Sequence, residues 1–385
     1  MMHSQPPALS PAFSPAFSTY LDLLRLLAAL AVVAAHYVYF GAIEAGAWGD
    51  ATAMGREAVI LFFVLSGFVI AASMAQGRPS ARAYAEARLS RVYSVALPVL
   101  LLAFGAAALL RWFGGIEVAR GYVLDKAWLY LPLHLLFLGQ HWQLGEVPPF
   151  MVPYWSLCYE AWYYLLFGLA CYLRGARRAV CVGLALACMG YKMWLLLPVW
   201  LAGAWLYHRP GPRLERGVAR AGCCATALLF AVCVAFDVEA PLRAAALAWW
   251  PFPSLPLGSA DRVLADYLVG AIVLAHFACA RHAGFEALLR IAPAVRTLAS
   301  YTFTLYLSHA LVIGLWLLLY PHQRDAVADQ VALGAAIAAT TVVLGAVTER
   351  RRHAWRRLFG RLPGARGAHG AGEPAPRAVA GEPGA

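Results

Sequence analysis

Apolar residues run through this chain in long unbroken blocks, separated by short polar stretches. A helix needs about 20 such residues to cross the hydrocarbon of a bilayer. On that ruler the blocks predict ten spans, at 20–40, 57–75, 93–111, 155–173, 179–193, 194–208, 221–237, 263–280, 298–319 and 328–347. The fifth and sixth are short, with a break near Lys192. The stretch AWLYLPLHLLFLG at 127–139 is too short to cross and holds Pro132, so it reads as interfacial or re-entrant. The blocks lack the apolar–polar alternation of a membrane β-barrel. The expected fold is therefore all-α, a polytopic membrane protein of about ten transmembrane helices. Residues 1–19 form an irregular, proline-rich cytoplasmic arm, 20–349 the membrane domain, and 350–385 a basic and then disordered cytoplasmic tail.

Composition sharpens this picture. Hydrophobic residues make up 62% of the 385 positions and charged residues 13%, too few charges to cover a soluble domain of this size. The net charge of +11 raises nucleic acid as a partner. Its distribution excludes that, because the arginines sit in short clusters between the blocks, where membrane topology requires them. With the N-terminus in the cytoplasm, 22 of the 31 lysines and arginines fall in cytoplasmic segments and 8 in external ones. This bias predicts a multi-pass protein of the inner (cytoplasmic) membrane with both termini inside. Residues 21–40 have no basic region ahead of them and are too long for a signal-peptide core, so they read as a retained span. The eight cysteines form no C-x-x-C pair, which argues against a zinc site or a disulfide framework. There is no H-E-x-x-H and no acidic cluster beside a histidine, so no metal is expected.

Chemistry is expected where polar residues interrupt the blocks. An ionisable side chain at mid-membrane costs at least ~2.5 kcal/mol on insertion scales. The first block, LDLLRLLAALAVVAAHYVYF, carries Arg25 and His36. Eleven residues apart, they share a face and lie about 16 Å apart along the axis. Asp22 is on the same face, one turn from Arg25. Snorkelling to the headgroups is the plainer reading for each alone, and the shared face argues against it for the pair. The second block holds Ser66 and Gly67, small residues that let helices approach closely. Arg88 and Arg91, three apart at the cytoplasmic start of the third, offer two planar forks suited to phosphate, with ordinary positive-inside charge as the plainer reading. Glu160 lies roughly 7 Å inside the outer end of the fourth block, where a carboxylate needs a partner. His36 is the expected one. Ser308 and His309 sit mid-membrane in the ninth block, and His134 and His141 near the outer face.

Together these residues resemble the acyltransferase-3 family, integral membrane enzymes that O-acylate bacterial surface polysaccharides. Arg25 and His36 match its Arg-x10-His. LFFVLSGFVI at 61–70 matches its LFFxLSGF, Arg88-Leu-Ser-Arg91 its R-x-x-R, and WSLCYEAWYY at 155–164 its W-S-L-x-x-E. YTFTLYLSH at 301–309 is a looser fifth match, and the resemblance covers about residues 20–350. The chain departs from the pattern at Ala161, where a second acid is usual, and at Ala58, where glycine is frequent. No hydrolase-like domain follows the last span, as one does in some relatives.

The resemblance implies transfer of an acyl group from cytoplasmic acyl-CoA, a co-substrate rather than a bound cofactor. The acceptor is a hydroxyl of an extracytoplasmic or lipid-linked saccharide of the cell envelope, and acetyl is favoured by family frequency. It implies His36 as general base, Glu160 as its orienting carboxylate and Arg25 on the donor's polar groups. Arg88, Arg91, Ser66 and Gly67 are then expected at the donor, and Trp155 and Ser156 at the acceptor. A histidine-acyl intermediate is the alternative mechanism. The rival class is a polytopic transporter or flippase of a glycan or small molecule. It too would bury charges, but such folds often show two related halves with broken helices, whereas here the polar residues crowd the first four spans.

Overall fold

The computed structural model describes residues 13–44, 54–77, 79–118, 121–209 and 211–359. Residues 1–12 of the expected arm, Arg78, Arg120 and the tail from 360 onward lie outside the described residues. Every described element is helical. The long ones are α1 (Pro15–Tyr39), α2 (Gly55–Gly77) and α3 (Ala81–Gly114). After two short helices, α4 (Tyr122–Asp125) and α5 (Ala127–Leu135), come α6 (Tyr154–Tyr172), α7 (Gly175–Met189), α8 (Tyr191–His208) and α9 (Arg216–Ala235). The remainder are α10 (Glu239–Trp249), α11 (Val263–Ala280), α12 (Ala292–Ala299), α13 (Thr302–Leu319), α14 (Val327–Val347) and α15 (Arg352–Phe359).

The ends of these helices follow from local chemistry. α1 begins at Pro15, whose fixed φ suits the first helical position, after Ser14, whose hydroxyl accepts from the Phe17 amide at 3.2 Å. Residues 15–19 of the expected arm are therefore helical. The basic start of the tail holds a short helix, α15. α3 is capped by Ser80 at its start and by Gly115, at φ 63°, at its end. The break between α7 and α8 falls at Gly190, φ 82°, and the axis turns by 118° there. Only glycine fits: a Cβ would also lie 2.7 Å from the Trp142 amide nitrogen.

Among the described residues, seven stretches are long and apolar enough to cross a membrane, or eight if α7 and α8 are counted as one broken span. The expected ten is not reached on that measure. The shortfall is α6, which is rich in tyrosine and tryptophan and carries Glu160, and the bent pair, whose α7 has only 15 residues. The expected ninth span also divides, into α12 and α13. Large apolar side chains such as Leu184, Leu228 and Val343 are more than half exposed, as lipid-facing positions require.

Contacts between helix ends sort those ends onto two faces. On one face Arg111 pairs with Asp125 at 2.6 Å, Met189 O accepts from the Trp142 amide, and Lys192 donates to Leu144 O. Arg56 pairs with Asp266, and Arg262 with Glu57, on the same face. On the other, Tyr172 donates to Pro79 O at 2.6 Å, Arg281 to Leu206 O, Arg220 to Ala283 O, and Thr304 to Glu349. α7 and α8 therefore each run from face to face despite their length. α5 starts beside the first face and runs inward, where Leu135 O accepts from Tyr93 at 2.7 Å, a re-entrant path for an element too short to cross.

The tightest packing is between α2 and α8. A Cβ on Gly67 would stand 2.0 Å from Trp200 O, and one on Gly203 would stand 2.0 Å from Val64 O. The two backbones touch at these glycines, the close approach that small residues give helices in lipid. Trp200, carried by this contact, is one of the largest fully buried side chains.

Candidate active site

α1 and α3 bring three guanidiniums together. Arg25, Arg88 and Arg91 line a cavity of about 90 Å³. Ser66 on α2, Ser156, Glu160 and Tyr164 on α6, and Thr302 and Tyr306 on α13 complete its polar wall. Helical spacing explains the arrangement. Arg88 and Arg91 are three apart, and Ser156, Glu160 and Tyr164 form a stripe at intervals of four.

Glu160 accepts hydrogen bonds from the hydroxyls of Ser66 at 2.6 Å and Tyr164 at 2.5 Å. Trp200 Nε1 in turn donates to Ser66 Oγ at 3.2 Å, so the α2–α8 contact holds this hydroxyl in place. Arg91 is set against Tyr164, Glu160 and Glu349. Arg88 stacks over the rings of Tyr84 and Tyr164, at 5.8 and 5.5 Å. Arg25 donates to Asp22 at 2.9 Å and to Ala299 O at 3.4 Å. Glu349 accepts from the amide and hydroxyl of Thr304, both at 3.1 Å. Three arginines thus face three carboxylates, Asp22, Glu160 and Glu349. The Nε atoms of Arg25 and Arg88 are buried with no hydrogen-bond partner among the described residues. Such donors suit an anionic ligand.

His36 lies elsewhere. Its Nδ1 donates to Val32 O at 2.8 Å, and its ring meets that of His309 on α13, centroids 4.9 Å apart. The expected pairing of His36 with Glu160 is not formed: no hydrogen bond or ion pair joins them among the described residues. Depth in the membrane made them plausible partners, but α1 turns His36 toward α13 while α6 turns Glu160 toward α2. Tyr306 stands between the two sets. It lines the cavity, shares a hydrogen bond of 2.6 Å with Ser156, and packs its ring 6.3 Å from that of His309.

One further expectation changes. Gly67, placed at the donor from sequence, faces α8 and makes room for its backbone. Trp155 lies outside the cavity, with the Arg56 guanidinium 4.6 Å over its ring. Arg25, Arg88, Arg91, Ser66, Ser156 and Glu160 do converge. Sequence reasoning missed Tyr164, Tyr306 and Glu349. The first two lie inside the quoted motifs, and Glu349 is an acid closing the last apolar block. His141, on the loop after α5, packs edge-on against Trp162 at 4.5 Å, and burial pushes its pKa down to about 4. It is a neutral packing residue at physiological pH. A larger groove of about 550 Å³ between α3 and α6 shares Arg88 and Tyr164 with the cavity, but its walls are otherwise nearly all apolar.

Fold and cavity together define a multi-pass α-helical membrane protein with a buried cluster of paired charges. The acyltransferase-3 family model, an acyltransferase domain, matches residues 18–350. The chain belongs to that family and is a membrane acyltransferase. Neither a curated protein nor a solved structure matches it.

Proposed function

We propose that this enzyme moves an acetyl group from cytoplasmic acetyl-CoA to a hydroxyl of an extracytoplasmic or lipid-linked saccharide. The observation that carries the reading is the convergence of Arg25, Arg88 and Arg91 on one cavity, with His36 on the helix of Arg25 about 16 Å further along its axis. The guanidiniums suit the phosphates of CoA, and the histidine suits a hydroxyl acceptor. The face bearing the starts of α3 and α9 is cytoplasmic on the positive-inside bias, with ten crossings and both termini inside the inner membrane. Acetyl is the acyl group that the family resemblance favours.

The chemistry balances without a permanently bound cofactor. With Nδ1–H held by Val32 O, His36 offers Nε2 as base. The acceptor oxygen bonds to the thioester carbonyl carbon as its proton passes to Nε2. The C–S bond then breaks, and the proton passes to the departing thiolate. Glu160 acts at the donor end, fixing Ser66 and Tyr164 and balancing Arg91. Ser156 reaches the acceptor route through Tyr306. The test is mass analysis of surface glycans from cells with and without the protein. A lost mass of one acetyl per acceptor unit supports the reading, and unchanged glycans refute it.

A further inference from the structure

Two imidazoles meet inside this protein, and the reaction as written uses one. The rings of His36 and His309 have centroids 4.9 Å apart and planes at 73°. Both are locked in the same way. Nδ1 of His36 lies 2.8 Å from Val32 O, and Nδ1 of His309 lies 2.9 Å from Leu305 O, each carbonyl one turn back. A carbonyl only accepts, so each Nδ1 carries the hydrogen of the neutral ring, and each Nε2 keeps a lone pair. His309 is fully buried, and its Nε2 has no hydrogen-bond partner among the described residues. A buried acceptor left unsatisfied is costly, and the exceptions in native proteins call for an explanation.

The surroundings supply one. Glu160, the obvious carboxylate for His36, is committed to Ser66 and Tyr164. The polar groups beside the pair are Tyr39 on α1 and Tyr306 on α13, both neutral phenols. An imidazolium formed on His36 therefore meets no carboxylate beside it, and the most basic acceptor there is Nε2 of His309, since imidazole is a stronger base than a phenol oxygen. A T-shaped contact also sets the positive edge of one ring against the electron-rich face of the other.

We propose that His309 is a positioning residue for acyl transfer, a neutral partner that stabilises the imidazolium of His36 while His36 holds the acceptor's proton. The proposal rests on the reading of His36 as base. His309 gains and loses no proton over the cycle. A neutral partner, unlike a carboxylate, leaves His36 uncharged at rest, and a base must be uncharged to start.

The experiment compares His309→Asn, His309→Gln and His36→Ala in membranes at matched protein level. Asparagine can still donate to Leu305 O but has nothing at the position of Nε2. Its kcat should fall about tenfold or more with the acetyl-CoA KM within about twofold, and glutamine should recover part of the loss. Unchanged kcat in His309→Asn, with His36→Ala inactive, overturns the proposal and leaves His36 as base. Normal activity in His36→Ala removes the base itself and the proposal with it. A second measurement needs no acceptor: labelling of His36 by diethyl pyrocarbonate against pH, read by peptide mass on purified protein. Loss of the partner in His309→Asn or His309→Phe should lower the labelling midpoint by about half a pH unit or more. An unmoved midpoint in both variants also overturns the proposal.

Discussion

Adding one methyl group at Gly67 should disable this enzyme without touching a charged residue. In Gly67→Ala the new carbon would stand 2.0 Å from Trp200 O, where a carbon and a carbonyl oxygen settle at about 3.3 Å or more. α2 and α8 must separate by about 1.3 Å to admit it. Overpacking of this kind costs about 1–3 kcal/mol. The larger effect is on the site. Trp200 holds Ser66 from α8, and Ser66 holds Glu160, so the separation pulls on the cavity wall. A displacement of 1 Å can cost about 100-fold in rate. Thermal unfolding in detergent and acyl transfer in membranes should both respond, with a melting temperature lower by several degrees and activity down by one to two orders of magnitude. Gly203→Ala, with its own methyl 2.0 Å from Val64 O, should behave alike. Wild-type melting and activity in both variants would refute the packing account.

Three other outcomes are expected. Arg88→Ala with Arg91→Ala should raise the acetyl-CoA KM by about tenfold or more, since each charge-assisted hydrogen bond contributes ~1.5–3 kcal/mol, and unchanged donor binding would contradict the assignment. Reporter fusions at Arg178 and Arg352 should read as cytoplasmic and one at Ala260 as external; a cytoplasmic Ala260 would rule out ten crossings. Burial holds the His141 pKa at about 4, below its unfolded value near 6.5, so its contribution to stability is full above pH 6.5 and is lost as pH falls toward 4. Melting in detergent across that window should show the decline, and His141→Gln should flatten part of it.

The two residue pairs of the candidate site were legible in the sequence because each depends on local spacing. Arg25 and His36 share a face of one helix by arithmetic, and so do Arg88 and Arg91. Partner choice was not legible. Residue number gives depth in the membrane, but the direction a side chain faces depends on which helix packs beside it. In α2 and α13, apolar nearly all round, no polar stripe reveals that direction. Glu160 was thus assigned to His36 by depth and found with Ser66. The glycine that admits α8 read equally well as part of a ligand site, because a small residue serves both. Glu349, after the last span, gave no spacing signal; its role comes from Thr304 and the arginines, which folding brings to it.

The central claim is that His36 removes the acceptor's proton, and His36→Ala tests it directly. A general base typically contributes about 10²–10⁴-fold. Acyl transfer by membranes holding matched amounts of wild-type and His36→Ala protein should differ by at least about 100-fold, with acetyl-CoA binding retained because the arginine cavity is untouched. Transfer at near wild-type rate in His36→Ala would contradict the account.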